Sequence, residues 1–227
     1  MEQRRYSATA YIILADGFET IEALTPLDVL RRCGVEVTTI SLNKTRAVRS
    51  SHGVTVEADA TMEEYMLKRS NAGSSSSAGS TSYGTNTSNA GTSSSAGSTS
   101  TTASSSMRQA LILPGGYPGY KNLCESAEVG ALITQFHKEG KLLCAICGAP
   151  TALKANQICR GAAITCHTSV KEELSDYYSI LSSAVVKYMN IITGMGAGRS
   201  LDFAFAIAEA LTSKEKVEEI KAKMEII

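Results

Sequence analysis

The chain carries no excess of either charge. Its 22 lysines and arginines stand against 22 aspartates and glutamates, so its net field steers it neither to nucleic acid nor to an anionic membrane. No apolar run of the kind a secretory leader needs opens the sequence, and no segment is long enough to cross a bilayer. A cytoplasmic location is expected, without membrane or nucleic-acid partners and with the six cysteines as free thiols. No grouping of His, Cys and acids has metal-ligand spacing, so no metal is expected. A nucleotide cofactor is not expected either. Gly194-Met-Gly-Ala-Gly198 begins like a dinucleotide loop, but Arg199 takes the third glycine's place and no strand with a terminal acid follows. That loop reads instead as one that lets a helix pack closely on a strand.

Residues 71–106 lack everything a core needs. They are Ser, Thr, Gly, Ala and Asn apart from Tyr83, and Ala72–Ser82 recurs imperfectly as Ala90–Ser100. Such a stretch cannot offset its ordering entropy, so it is expected to be a disordered low-complexity insertion within one domain over 8–227.

What is there alternates. Apolar runs at 11–15, 36–42, 54–56, 110–113, 142–146 and 162–166 read as strands, and 185–193 reads as a hairpin. Helical patterns lie between them at 27–33, 61–69, 125–138 and 200–211, with a charged helix at the end. Thr25-Pro-Leu-Asp28 has the form of a helix-opening box. The alternation predicts an α/β fold, a parallel sheet sandwiched by helices, with its sites at the carboxyl ends of the strands.

The most informative stretch is Lys141-Leu-Leu-Cys-Ala-Ile-Cys-Gly-Ala-Pro-Thr-Ala-Leu153. Its strand stops at Cys147, and Pro150 then suits the first turn of a helix. Cys147 is placed on a sharp strand-to-helix turn, where a helix N-terminus favours thiolate. A small buried cysteine at a strand end is the plain alternative. Cys144 shares a C-x-x-C spacing with Cys147, but along a strand the two Cα atoms stand roughly 10 Å apart, too far for a disulfide. Three further strand ends carry chemistry: 16–22 with Glu22, 114–119 with its glycines, and Cys166-His167. A thiol, a carboxyl, an imidazole and two N–H turns at one sheet edge suit covalent attack on a carbonyl. Taken singly, Glu22 reads as a solvated turn residue and His167 as a structural hydrogen-bonder.

Leu14-Ala-Asp-Gly-Phe-Glu-Thr-Ile-Glu-Ala23, Pro26-Leu-Asp-Val-Leu-Arg-Arg32, Leu113-Pro-Gly-Gly116, Ala145-Ile-Cys-Gly-Ala-Pro-Thr-Ala-Leu153 and Asp202-Phe-Ala-Phe-Ala-Ile207 together resemble the DJ-1/PfpI (ThiJ) superfamily, in its DJ-1 and YajL-like branch. The resemblance implies a flavodoxin-like homodimer whose reactive cysteine is Cys147. Its protonated carboxyl partner would be Glu22, the nearby imidazole His167, and the oxyanion N–H groups those of Gly116 and Gly148. It also implies a cofactor-independent glyoxalase or deglycase acting on small dicarbonyls or glycated substrates. The alternative is an oxidative-stress sensor whose cysteine oxidises without turnover. Three departures stand out. Gly148 follows the nucleophile where the protease-like branch has His. His52 stands where relatives often carry Arg, and Gly196-Ala-Gly-Arg199 replaces the commoner Gly-Pro-Gly-Thr. For the dimer, the 26–32 helix offers a spaced Asp28/Arg32 pair and the apolar Leu27 and Leu30.

Overall fold

A computed structural model describes residues 8–74 and 108–226. In chain order its elements are β1 (Ala8–Leu14), α1 (Thr20–Arg32), β2 (Glu36–Ser41), β3 (Ala47–Arg49), β4 (Thr55–Glu57), β5 (Ala60–Thr61) and α2 (Met62–Ser74). Then come β6 (Arg108–Leu113), α3 (Gly119–Glu125), α4 (Ala127–Lys138), β7 (Leu142–Ile146), α5 (Pro150–Ala155), β8 (Ala163–Ile164) and α6 (Lys171–Ser175). Last are β9 (Ser179–Ile180), β10 (Val185–Tyr188), β11 (Ile191–Gly194), α7 (Ser200–Leu211) and α8 (Lys214–Lys223).

Seven strands form the main sheet in the order β10-β11-β7-β6-β1-β2-β5. All pairings are parallel except β10 with β11, which form the expected hairpin. β1, β6 and β7 are buried along nearly their whole length, as strands covered on both faces must be. One face packs on α1, α7 and α8 through Phe18, Val29, Leu30, Phe203 and Ile207. The other packs on α4 and α5 through Val129, Leu132, Ile133, Phe136 and Leu153.

Several boundaries differ from expectation. The Thr25 box does not open a helix. α1 begins at Thr20 and carries Pro26 inside it, so the carbonyl of Glu22, four residues back, receives no helical N–H from that position. Burial of Ala23, Val29 and Leu30 outweighs that one lost bond. Leu30 is therefore core, not exposed interface, whereas Asp28 and Arg32 do pair at 2.7 Å. The expected 125–138 helix is α4, which starts at Ala127 because Ser126 caps it by accepting the Val129 N–H at 3.2 Å, and the short α3 ahead of it is an element the periodicity does not mark. α2 runs to Ser74, past the point where the insertion was expected to begin, and the rest of that insertion lies outside the described residues. The run at 162–166 does not join the main sheet. Only Ala163–Ile164 is strand, and it pairs with β9 in a separate two-stranded sheet. The missed β3 pairs antiparallel with β4 as a ribbon beside the main sheet.

Candidate active site

Cys147 follows β7 directly and has φ 64°, a left-handed conformation that costs a non-glycine residue energy. It persists because both its backbone groups are held. Its N–H donates to the Gly194 carbonyl at 3.0 Å, and its own carbonyl accepts the His167 N–H at 2.9 Å. The second bond is how His167 arrives at the site. β8 is not part of the main sheet, so backbone docking on the elbow, not a sheet edge, places the imidazole.

Glu22 sits on the first turn of α1, with no exposed surface. Its Oε2 accepts the Gly115 N–H at 2.8 Å. Its Oε1 is buried without a hydrogen-bond partner, and the carboxyl is coupled to the Cys147 thiol. Gly115 makes this possible, because a Cβ there would stand 2.7 Å from both Cys147 Cβ and Glu22 Oε2. Gly116, at φ 87°, is equally constrained. A Cβ on it would meet the Glu19 backbone nitrogen at 2.2 Å, and the Glu19 N–H donates to the Gly115 carbonyl at 2.9 Å.

Burial moves both acids of the pair. It raises the Glu22 carboxyl from 4.5 to about 7, opposed by the Gly115 and Cys147 hydrogen bonds and aided by the charge of Glu19. It also pushes the Cys147 thiol up to about 12, with the Glu22 charge adding to the effect and the N–H groups of Gly116 and Gly148 opposing it. This corrects the expectation of a thiolate set by a helix N-terminus. α5 is only six residues long, and desolvation outweighs it. It also refines the expected protonated Glu22, which near neutral pH is shared between its two forms.

His167 Nδ1 accepts the Ser169 N–H at 3.2 Å and lies 2.8 Å from Ser169 Oγ. A backbone N–H can only donate, so in the neutral ring Nε2 carries the hydrogen. Glu19, Glu22, Gly116, Cys147 and His167 line one cleft of about 570 Å³ with the Met195–Arg199 loop. One contribution is not legible in the sequence: Glu19, in the motif that carries Glu22, also lines the cleft. In the 194–198 loop the packing role holds for Gly194, where a Cβ would press on Ile146 and Phe203, while the 196–199 segment, which the resemblance sets near the site, is cleft wall. Cys144 is fully buried and free, as expected, and burial raises its thiol further still. No group of metal-ligating side chains, and no helix long and apolar enough to cross a membrane, occurs among the described residues.

Comparison with known proteins agrees with this architecture. The chain is 32% identical to protein dj-1beta of Drosophila melanogaster, over 94% of this chain and 95% of that one. It is 29% identical to the Parkinson disease protein 7 homolog of Danio rerio, over 95% of each. A glutathione-independent glyoxalase of Caenorhabditis elegans, DJR-1.2, is 38% identical over 47% of this chain and 56% of its own. The crystal structure of Drosophila DJ-1beta superposes with a TM-score of 0.77 at 30% identity, covering 97% of this chain and 99% of that one. The family model described as DJ-1/PfpI matches residues 8–210, and with the sheet, the elbow and these relatives agreeing, the chain belongs to the DJ-1/PfpI family.

Proposed function

We propose that this protein is a cofactor-independent glyoxalase that converts methylglyoxal-type 2-oxoaldehydes to 2-hydroxy acids. The observation that carries the reading is the fully buried Glu22 carboxyl coupled to the Cys147 thiol, with its Oε1 left without a hydrogen-bond partner. A carboxyl poised near 7 is well matched to taking and returning protons at neutral pH. The ionised Glu22 takes the thiol proton as Sγ bonds to the aldehyde carbon. The N–H groups of Gly116 and Gly148 receive the oxyanion, and Glu22 returns the proton to it, giving a hemithioacetal. Glu22 then removes the hydrogen from that carbon and delivers it to the neighbouring carbon. The hydroxyl proton passes to the second oxygen, which the Nε2–H of His167 supports. Water hydrolyses the resulting thioester, releasing the hydroxy acid and restoring the thiol. Removal of the same aldehyde from glycated thiols or amines is a related deglycase use of the site. The relative named a glutathione-independent glyoxalase supports this class of chemistry.

We also infer a cytoplasmic homodimer that buries the outer face of α1 near the site, where Ile21 is 48% exposed. The decisive experiment incubates the protein with methylglyoxal, without glutathione, and measures lactate, with Cys147→Ser as the control. Lactate that disappears in the control is expected. Its absence from the unaltered protein overturns the enzyme reading in favour of an oxidation sensor.

A further inference from the structure

The turn between β3 and β4 reaches the cleft through Glu19. Ser51 Oγ donates to Glu19 Oε2 at 3.2 Å. His52 Nδ1 stands 3.4 Å from that same oxygen and 3.0 Å from Ser51 Oγ. The Ser51 N–H also donates to the Phe18 carbonyl at 2.9 Å, so the turn is docked on the start of α1 by backbone as well as side chains. Ser51 gives its single hydroxyl hydrogen to Glu19, so toward His52 its oxygen can only accept, which sets the hydrogen of the neutral ring on Nδ1. Nε2 is then the free base, on a side chain 75% exposed, while Glu19 is only 17% exposed. A proton from solvent can add to Nε2 without moving any atom of the cluster. It creates an imidazolium 3.4 Å from a carboxylate that lines the cleft and repels charge on Glu22.

We propose that His52 is a positioning residue for the Cys147–Glu22 pair: its proton sets how much negative charge Glu19 projects onto that pair, and so the pH at which Cys147 becomes nucleophilic. The inference rests on Cys147 and Glu22 working as one unit and adds a control by pH to it. An arginine here would hold the positive charge throughout, whereas histidine is the side chain that changes charge between pH 5 and 8. The other charged groups around this corner are Arg49, which comes beside Gly53 in the same turn, Asp16, which accepts the Arg49 N–H at 2.9 Å, and Arg199 across the cleft, 3.6 Å from Asp202. Arginine and aspartate are not residue types that change charge in that range, and Glu22 and His167 in the same cleft are common to every variant compared, so the contrast at position 52 isolates its charge.

The test is the rate of Cys147 alkylation by iodoacetamide from pH 5 to 9, read by peptide mass mapping on the full chain. The reagent is uncharged, so its approach is not steered. His52→Arg holds the positive charge and His52→Gln removes it. The Arg profile is expected to lie about half a pH unit to the acid side of the Gln profile, about threefold in rate at a fixed pH, as suits a half-exposed pair. The unaltered protein should follow the Arg variant at the acid end and the Gln variant at the alkaline end. Glu19→Gln introduced into both should abolish the gap. Superimposed Arg and Gln profiles, a gap that survives Glu19→Gln, or a Cys147 unlabelled at every pH would overturn the proposal. Because alkylation needs no turnover, a missing lactate signal with an intact gap would remove the glyoxalase reading alone.

Discussion

Replacing Glu22 by glutamine should abolish turnover and yet stabilise the protein, and the stabilisation should depend on pH. The carboxyl titrates at 4.5 when unperturbed and at about 7 in its buried site. That gap is worth about 3 kcal/mol at 1.36 kcal/mol per pH unit. Between the two values the folded state keeps a proton that the unfolded state has released, so folding stability falls as pH rises and the full cost is present above about 7. Below 4.5 both states are protonated and the cost vanishes. Glutamine keeps the shape, and its Oε1 can still accept the Gly115 N–H now bonded at 2.8 Å. Its amide nitrogen would take the place of Oε1, which has no hydrogen-bond partner, and that costs about 1 kcal/mol. The net gain is about 2 kcal/mol at pH 8, or about 4–8 °C in Tm for a chain of this size. Thermal unfolding of both proteins at pH 8 and pH 5 measures it, since every other titrating group is common to the pair. The gain should shrink to near zero at pH 5. Equal stability at pH 8, or a gain that does not change with pH, would refute a buried carboxyl with a raised proton affinity.

Other expectations follow from the same geometry. Gly115→Ala forces a Cβ to within 2.7 Å of Cys147 and Glu22, so it should cost about 1–3 kcal/mol in overpacking and eliminate turnover, by denaturant titration and lactate assay. Mild peroxide should modify Cys147, which is partly exposed, before the fully buried Cys144, and peptide mapping that finds another cysteine oxidised first would count against the elbow. Replacing residues 75–106 with a short Gly/Asp-type turn should leave lactate production unchanged, because lengthening a loop costs only about 0.6 kcal/mol per doubling. Light scattering at micromolar protein, at pH 5.5 and 7.5, should give a dimer; a fully active monomer at both values would exclude a functional role for the α1 face.

The sequence alone was enough for the alternation of strands and helices, and hence for a parallel sheet covered on both faces. Short, continuous apolar runs such as 142–146 have no other way to be buried. It also marked Cys147, because a strand that ends abruptly before Gly148 and Pro150 leaves its last residue on a turn. Where local rules competed with packing they misled. Thr25 has the form of a cap, but the apolar face of α1 carries the helix back to Thr20 and puts Glu22 on its first turn. Distances across the chain were not legible at all. Nothing local says that Gly115, 93 residues from Glu22, donates to its carboxylate, or that His167 hangs from the Cys147 carbonyl. Tertiary structure also decided the electrostatics. A helix N-terminus is visible in a sequence and predicts a thiolate, but the solvent removed from around Cys147 and Glu22 is not. That loss of water, the larger effect, is what raises both groups and leaves the carboxyl as the member of the pair that titrates near neutral pH.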